Sequence, residues 1–227
     1  MACDIIIEYK ISSTTYENTS WVFKLDNEQH RCHIEPESQN MQWQKLECNQ
    51  CKHCPYQTQN KPYCPVAQSI GSIAEYFKDI SSIEVFELTV FINQELHFQA
   101  KASAARVCSS LIGLSTAGSG CQYTQFLWPM LQQHTPMATL EESVFRAISN
   151  MSIYYVLNDS PLNFIEYCTN FYENMHTLNI DFSARIQQFA KGDALNNGLI
   201  NLDTFIKMIL YNLEHKFEDF QDIYDLK

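Results

Sequence analysis

The stretch CNQCKHCP at residues 48–55, closed by Cys64-Pro65, decides how the rest of the chain is organised. Its cysteines follow the spacing C-x2-C-x2-C-x9-C. A C-x2-C pair places two sulfur atoms on one ion from a tight turn, and the spacing recurs in zinc and iron–sulfur proteins. We therefore expect a cysteine-ligated metal site, with thiolates of this loop as ligands.

The surrounding segment, residues 36–64, consists mostly of Gln, Asn, Glu, Lys and Cys and has no helical or strand period. A loop of this length without structure of its own is uncommon inside a compact domain. A structural metal would order it, because metal binding contributes directly to folding free energy. Zinc is the first expectation. An iron–sulfur cluster is the alternative, since the spacing resembles that of ferredoxins, except that nine residues stand where ferredoxins have three.

The identity of the fourth ligand stays open at this level. Cys48 can complete a set with Cys51, Cys54 and Cys64. Cys121 can replace Cys48, because it follows a Gly-Ser-Gly turn at the predicted start of a helix, where a thiol pKa is lowered. Cys121 could instead be a reactive thiol with His134 as its base.

Short runs rich in β-branched and aromatic residues indicate antiparallel strands. Five such runs are found at residues 4–11, 21–25, 31–35, 83–92 and 95–101. The last two flank Asn93-Gln94 and predict a hairpin. Helical spacing of apolar residues predicts helices at 65–79, 103–116, 121–134, 139–157, 160–178, 180–191 and 201–220.

These elements predict an α+β protein. A sheet of about five antiparallel strands, the cysteine-rich metal loop at 36–64 and one packing helix occupy residues 1–101. A helical half of about five to six helices follows at 102–227, packed as one unit with the first. A chain of 227 residues is long enough to bury a substantial core in this arrangement.

Composition excludes several classes of function. The net charge of −11 argues against binding nucleic acid or an anionic membrane surface, both of which need clustered Lys and Arg. The start of the chain lacks a signal peptide, and no run of about 18 apolar residues spans a bilayer. Nine cysteines, an odd number, then indicate a reducing cytoplasm. Residues 193–204 imitate a calcium loop but lack the bidentate carboxylate at its last position, so we expect no calcium site.

A resemblance adds to this interpretation. Six blocks carry it: Cys51-x2-Cys54-Pro55, Cys64-Pro-Val-Ala67, Ser109–Leu114, Ser119-Gly-Cys121, Phe126-Leu-x-Pro-Met130 and His134–Glu142. Over residues 40–150 the chain resembles an uncharacterised bacterial family with the motifs CxxCP, CPVA and SGC. The resemblance implies that Cys51, Cys54, Cys64 and Cys121 belong together and that Cys48 lies outside the pattern. It implies no histidine ligand, because Gln122-Tyr123 stands where the family has Pro-His.

Two functional classes follow from these observations. The first is a cytoplasmic module with structural zinc, used for sensing or for interaction with a protein partner or a second copy. The second is a redox or metal-dependent protein with an iron–sulfur cluster or a reactive Cys121. The chain shows no combination of residues typical of acid–base catalysis, which favours a non-enzymatic module.

Overall fold

The computed structural model describes residues 5–57, 59, 61–218 and 220–221 of the chain. Five strands lie within them: β1 (Ile6–Ser12), β2 (Thr19–Asp26), β3 (Arg31–Glu35), β4 (Val85–Ile92) and β5 (Leu96–Ser103). They form one antiparallel sheet in the order β3-β2-β1-β4-β5. Because β1 lies at the centre, the first meander and the later hairpin are joined through it.

The sheet forms because alternate residues of its central strands are apolar, so one face is buried. Nine side chains make that face: Ile7, Tyr9, Ile11, Trp21, Phe23, Leu25, Phe86, Leu88 and Val90. The register places Tyr9 between Trp21 of β2 and Val90 of β4. The hairpin predicted at Asn93-Gln94 is confirmed, and both turn residues have positive φ (52° and 60°), as tight hairpin turns require.

Seven helices complete the fold: α1 (Pro65–Ser69), α2 (Gly71–Phe77), α3 (Ala104–Ala117), α4 (Trp128–Gln132), α5 (Leu140–Asn158), α6 (Phe164–Phe189) and α7 (Ala194–Glu214). The predicted α+β class, with its five-stranded sheet followed by a helical part, is confirmed. The start of α5 also follows the sequence. The Glu142 N–H donates to the Thr139 hydroxyl (3.1 Å), and the Thr139 N–H donates to the Glu142 carboxylate (2.8 Å).

Two predicted helices are corrected. The helix expected at 65–79 is divided at Ile70, whose φ and ψ of −88° and 1° interrupt the helical path. The helix expected from Cys121 does not begin there. Residues 121–124 form a turn, a single 3-10 turn follows at Gln125–Leu127, and α4 begins only at Trp128.

The last three predicted helices are also corrected. The segments 160–178 and 180–191 are one helix, α6, which begins after the N-cap residue Asn163. The Glu166 N–H donates to the Asn163 side chain at 3.0 Å. The helix expected at 201–220 begins earlier, at Ala194, and includes residues that the sequence assigned to a polar turn.

One apolar core lies between the sheet and the helices that cover it. It includes residues of β1 and β2 together with Leu178, Phe182 and Ile186 of α6. A second core lies among α5, α6 and α7 and includes Met151 and Tyr172. The division into units 1–101 and 102–227 stays a prediction. Among the described residues, the helices are all too short or too polar to cross a membrane.

Candidate metal centre

The cysteine-rich loop is irregular but closed at its base. It contains a single 3-10 turn at Gln42–Gln44 and a bridge between Lys45 and Tyr63. The Cys64 N–H donates to the Gln44 carbonyl (2.9 Å), and the Leu46 N–H donates to the Pro62 carbonyl (3.0 Å). Both ends of the loop are therefore held together just before α1 begins.

Three of the predicted ligands are presented by this loop. Cys51 and Cys54 flank a tight turn in which the Cys54 N–H donates to the Cys51 carbonyl (3.0 Å). Cys64 is the N-cap residue of α1, with Pro65 at the first helical position. Burial raises the pKa of Cys51 to about 12. Burial also raises the pKa of Cys64, and the nearby Arg185 guanidinium opposes this rise.

Cys121 comes from the other side of the fold. It lies in the turn after α3, where Gly120 has a φ of 74° and the Cys121 N–H donates to the Ser119 hydroxyl (3.2 Å). The expected helix start is wrong, and so is the lowered pKa expected from it. Burial raises the pKa of the Cys121 thiol to about 12.

The four thiols influence one another electrostatically. After burial, the largest contribution to the raised pKa of Cys51 is repulsion from an ionised Cys64, followed by Asp181, Cys54 and Cys121. The pKa of Cys121 is raised in the same way by Cys64 and Cys54. In the part of the chain that the structure describes, no group of three or more Cys, His, Asp or Glu side chains is arranged so that it could hold a metal ion. The thiols are thus neighbours rather than a preformed coordination sphere.

Cys48 is placed differently. Its sulfur lies 3.9 Å from the side-chain oxygen of Gln188 on α6. Cys48 is not among the charges that raise the pKa of Cys51, Cys64 or Cys121. That Cys121 rather than Cys48 completes the ligand set stays a prediction.

Arg185 organises the loop, and this role was not predicted from the sequence. Its guanidinium is almost fully buried, with 1% of the residue exposed. It donates to the carbonyls of Trp43 (2.8 Å), Lys45 (2.6 Å), Leu46 (3.2 Å) and Asn49 (3.5 Å). Among the ion pairs within the described residues, none involves Arg185. The signal available in the sequence was an arginine at a position within the apolar stripe of a helix, where a charged side chain is unusual.

Other contacts attach the tip of the loop to the helical half. The Lys52 N–H donates to the Asp181 carboxylate on α6 (2.9 Å), and the Tyr56 hydroxyl donates to the Gly120 carbonyl (2.8 Å). The ring of His53 packs against the ring of Tyr123 at a tilt of 43°, with centroids 4.4 Å apart. Its Nδ1 is buried without a hydrogen-bond partner. The loop thus packs against α6 and against the turn at residues 118–123.

His134 is not positioned as the expected base for Cys121. Its Nε2 lies 2.5 Å from the hydroxyl of Tyr9 on β1, and that hydroxyl lies 2.7 Å from the Ser110 hydroxyl. Burial, aided by the nearby charge of Arg146, lowers the pKa of His134 to about 3. The histidine is therefore neutral at pH 7 and a weak base.

The calcium-like residues do not form a loop. All but the first belong to α7, whose N-cap residue is Asp193. The Asp193 carboxylate accepts from the Ser82 N–H (2.6 Å), the Ser82 hydroxyl (3.0 Å) and the Asn197 side chain (3.0 Å). The Ser82 N–H is the main reason that the pKa of Asp193 is lowered. The absence of calcium binding stays a prediction.

The residues present have the chemistry of a thiolate site, because the four thiols are electrostatically coupled and the Arg185 guanidinium favours the ionised form of Cys64. Comparison with known proteins adds no activity: no curated protein and no solved structure matches the chain. The predicted membership in an uncharacterised family is confirmed. The cysteine motif of that family stays a prediction. The model of a family described as a domain of unknown function, DUF6901, matches residues 7–225, and the chain belongs to this family.

Proposed function

We propose that this chain is a cytoplasmic metal-binding module in which Cys51, Cys54, Cys64 and Cys121 bind one zinc ion. The observations that carry the proposal are the electrostatic coupling among these four thiols and the buried guanidinium of Arg185 near Cys64. We further propose that the ordered fold serves sensing or protein interaction.

The charge of Arg185 supports the proposal. A buried charge is costly unless an opposite charge or hydrogen bonds compensate it. The carbonyls around Arg185 supply hydrogen bonds but no net charge, and its Nε is buried without a partner. Four thiolates around a divalent ion carry an excess of negative charge. Arg185 is placed to balance that charge, since its guanidinium already favours the ionised form of Cys64.

The contribution of each ligand follows from its position. Cys51, Cys54 and Cys64 lie on the loop between the sheet and α1, and Cys121 lies after α3. When bound, zinc supplies folding free energy and no redox chemistry. The four thiols would then join the loop to the helical half at the point where Tyr56 already donates to Gly120.

The interaction part of the proposal is supported by an exposed apolar face near the end of α5. Ile153, Val156 and Leu157 are 64%, 75% and 77% exposed. Their spacing places them on one side of the helix. Apolar side chains grouped on a surface mark interaction sites more often than isolated ones do. The partner that covers this face would be either a second copy of this chain or another protein.

The alternative is an iron–sulfur cluster on the same thiols. A reactive Cys121 is disfavoured, because burial raises the pKa of that thiol to about 12 and His134 is bonded to Tyr9. Anaerobic purification without chelator, followed by elemental analysis and a visible spectrum, separates the two metals. A colourless protein with about one equivalent of zinc supports the proposal, and a brown protein containing iron and sulfide supports the alternative.

The ligand set is tested with two matched substitutions. We expect Cys121→Ser to lose the metal and to lower the melting temperature of the whole protein, because binding energy is coupled to folding. Cys48→Ser should retain the metal and melt like the unmodified protein, since Cys48 lies outside the proposed ligand set and its sulfur is placed 3.9 Å from the Gln188 side-chain oxygen. Metal loss in Cys48→Ser alone would show that the preferred set is wrong. Metal-free protein after the anaerobic preparation would reject the proposal itself.

A further inference from the structure

A cavity of about 680 Å³ lies within the helical half, away from the thiols of the loop. Its walls come from α3, α4, α5, α6, α7 and the segment that joins α4 to α5. Ligand pockets in proteins have volumes of about 300–1,000 Å³, so this cavity has the size of a small-molecule site. Exposed residues at its rim, among them Arg106, Thr135 and Thr139, mark where it opens.

The charge of the lining is opposite to that of the protein. Arg106 and Arg146 both line the cavity, and among the described residues its lining includes no Asp, Glu or Lys. The whole chain, by contrast, carries a net charge of −11. Arg106 donates to the Met137 carbonyl (2.9 Å) and Arg146 to the Gln133 carbonyl (2.5 Å), which hold both guanidinium groups at the rim. A guanidinium has five N–H donors, so each retains donors for an anion.

The interior of the cavity is largely apolar. Leu114, Leu131, Met175, Phe205 and Ile206 are among the side chains that line it. An apolar wall of this kind gains free energy by covering the apolar part of a ligand. The cavity therefore combines a cationic rim with an apolar interior.

Two polar groups in the wall have no partner. Tyr172 and Asn179 both line the cavity and are almost fully buried, at 1% and 5% exposed. The Tyr172 hydroxyl and the Asn179 side-chain nitrogen make no hydrogen bond within the described residues. They are seven residues apart on α6 and so share one side of the helix. Buried polar groups in proteins are nearly always satisfied, so these two positions are open to hydrogen bonds with water or with a ligand that carries a second polar group.

A third set of polar groups, formed by Tyr9, Ser110 and His134, is suited to hydrogen bonding with a ligand rather than to proton transfer. Ser110 and His134 line the cavity and are bridged by the Tyr9 hydroxyl. Burial raises the pKa of Tyr9 and lowers that of His134, so both are neutral at pH 7. An acid and a base shifted in these directions do not exchange a proton readily. The group therefore offers uncharged hydrogen-bonding sites.

We propose that this cavity binds a small organic monocarboxylate, with its apolar part inside and its carboxylate at Arg106 and Arg146. Arginine pairs with carboxylates through two parallel N–H···O bonds, which a neutral or cationic head group cannot reproduce. The proposal is independent of the metal site, because the two share no residue.

Calorimetric titration of the purified full chain with octanoate, octan-1-ol and octylammonium tests the proposal. We expect octanoate to bind one-to-one, octan-1-ol to bind at least about tenfold more weakly, and octylammonium not to bind. One charge-assisted pair contributes enough free energy for about a tenfold change. Equal affinity for octanoate and octan-1-ol would overturn the proposal, and so would the absence of octanoate binding at millimolar concentration.

Substitutions locate the site. Arg106→Gln should weaken octanoate binding about tenfold and leave octan-1-ol binding unchanged. Arg146→Gln should have the same two effects on octanoate and octan-1-ol binding. If the half-buried Arg146 is needed for folding, Arg106→Gln still tests the site, because Arg106 is exposed. Lys191→Gln removes an exposed positive charge outside the cavity and is the matched control. Octanoate affinity that is unaffected by Arg106→Gln, or reduced equally by Lys191→Gln, would place binding elsewhere.

Discussion

The sheet and the cysteine-rich loop are ordered in opposite ways. Each central strand of the sheet buries alternate residues of its own sequence, and this apolar face packs against the helices that cover it. The loop has no such pattern, and four of its carbonyls accept hydrogen bonds from Arg185, about 140 residues away. The strands of the sheet are therefore specified by the pattern of residues within each strand. The conformation of the loop is instead fixed by groups far away in the chain, foremost the side chain of Arg185.

The largest effect is expected in the sheet. Trp21→Ala removes a side chain that is 1% exposed and stacks on Phe77 with centroids 5.9 Å apart. Truncation of a buried aromatic costs about 3–5 kcal/mol. We expect sheet and loop to be lost in one transition at a correspondingly lower denaturant concentration. Circular dichroism and limited proteolysis measure the two regions, and a loop that outlives the sheet would contradict the comparison.

The next effect is expected in the loop. Arg185→Met keeps an apolar stem on α6 but leaves buried carbonyls of the loop without a donor, at about 1–3 kcal/mol for each unsatisfied group. Relief of the buried charge offsets part of this cost, so we expect a loss of about 3 kcal/mol in the free energy of unfolding. Proteolysis should appear within residues 36–64 while the sheet remains folded.

Two further variants sharpen this result. Gln187→Met introduces the same side chain at an exposed position of α6 and should leave both stability and proteolysis unchanged. Arg185→Lys keeps the charge but cannot reach several carbonyls with one ammonium group, so it should resemble Arg185→Met. Full rescue by Lys would show that charge alone orders the loop.

A smaller effect is expected where the loop meets the turn after α3. Tyr56→Phe removes the hydroxyl that donates to the Gly120 carbonyl at 2.8 Å. Loss of one such hydrogen bond costs about 1 kcal/mol. Thermal melts should show a decrease of about 2–4 °C for a chain of this size. An unchanged melting temperature would mean that the loop does not depend on this contact.

The smallest effect is expected at the exposed surface of the sheet. Glu35→Gln weakens the ion pair between Lys24 and Glu35 (2.5 Å), whose side chains are both about half exposed. Exposed pairs of this kind contribute about 0–1 kcal/mol. The midpoint of urea unfolding should therefore move little, and a loss as large as that of Tyr56→Phe would show that the edge strand is less robust than its pattern suggests.

The sequence was informative where short-range patterns decide the structure. Alternation identified the strands around Tyr9 and Trp21, and the Thr139–Glu142 signature identified the start of α5. These features depend on residues close together in the chain or on a repeated pattern. The prediction that Cys121 joins the loop thiols rested on its position after a Gly-Ser-Gly turn and on the resemblance, because no local rule connects positions so far apart.

Long-range packing explains what the sequence did not predict. A break between two helices was predicted at Asn179, yet Leu178, Phe182 and Ile186 continue one apolar stripe and α6 does not break. Gly198 was taken as a turn residue, but it lies inside α7, where a Cβ would come within 2.7 Å of the Cβ of Cys108 on α3. Tertiary contact here overrides the low helix propensity of glycine.

The candidate sites were predictable in part for the same reason. Spacing identified Cys51, Cys54 and Cys64, because those thiols belong to one loop. Arg185 and the cavity residues on α6 could not be assigned, since their roles depend on which helices pack together. The pKa of Cys121 was predicted in the wrong direction because the turn at Gly120 replaces the expected helix start.

The length of α6 has a consequence for any attempt to divide this protein. At 1.5 Å per residue its 26 residues form a rod of about 39 Å. One end, with Tyr172, lies in the core of the helical half, and the other, with Phe182 and Ile186, lies in the core beneath the sheet. A fragment that ends after the last strand would leave the buried face of the sheet uncovered and insoluble. Successful fragments, or circularly permuted forms, must therefore keep α6 uncut and open the chain at an exposed turn such as Asn93-Gln94.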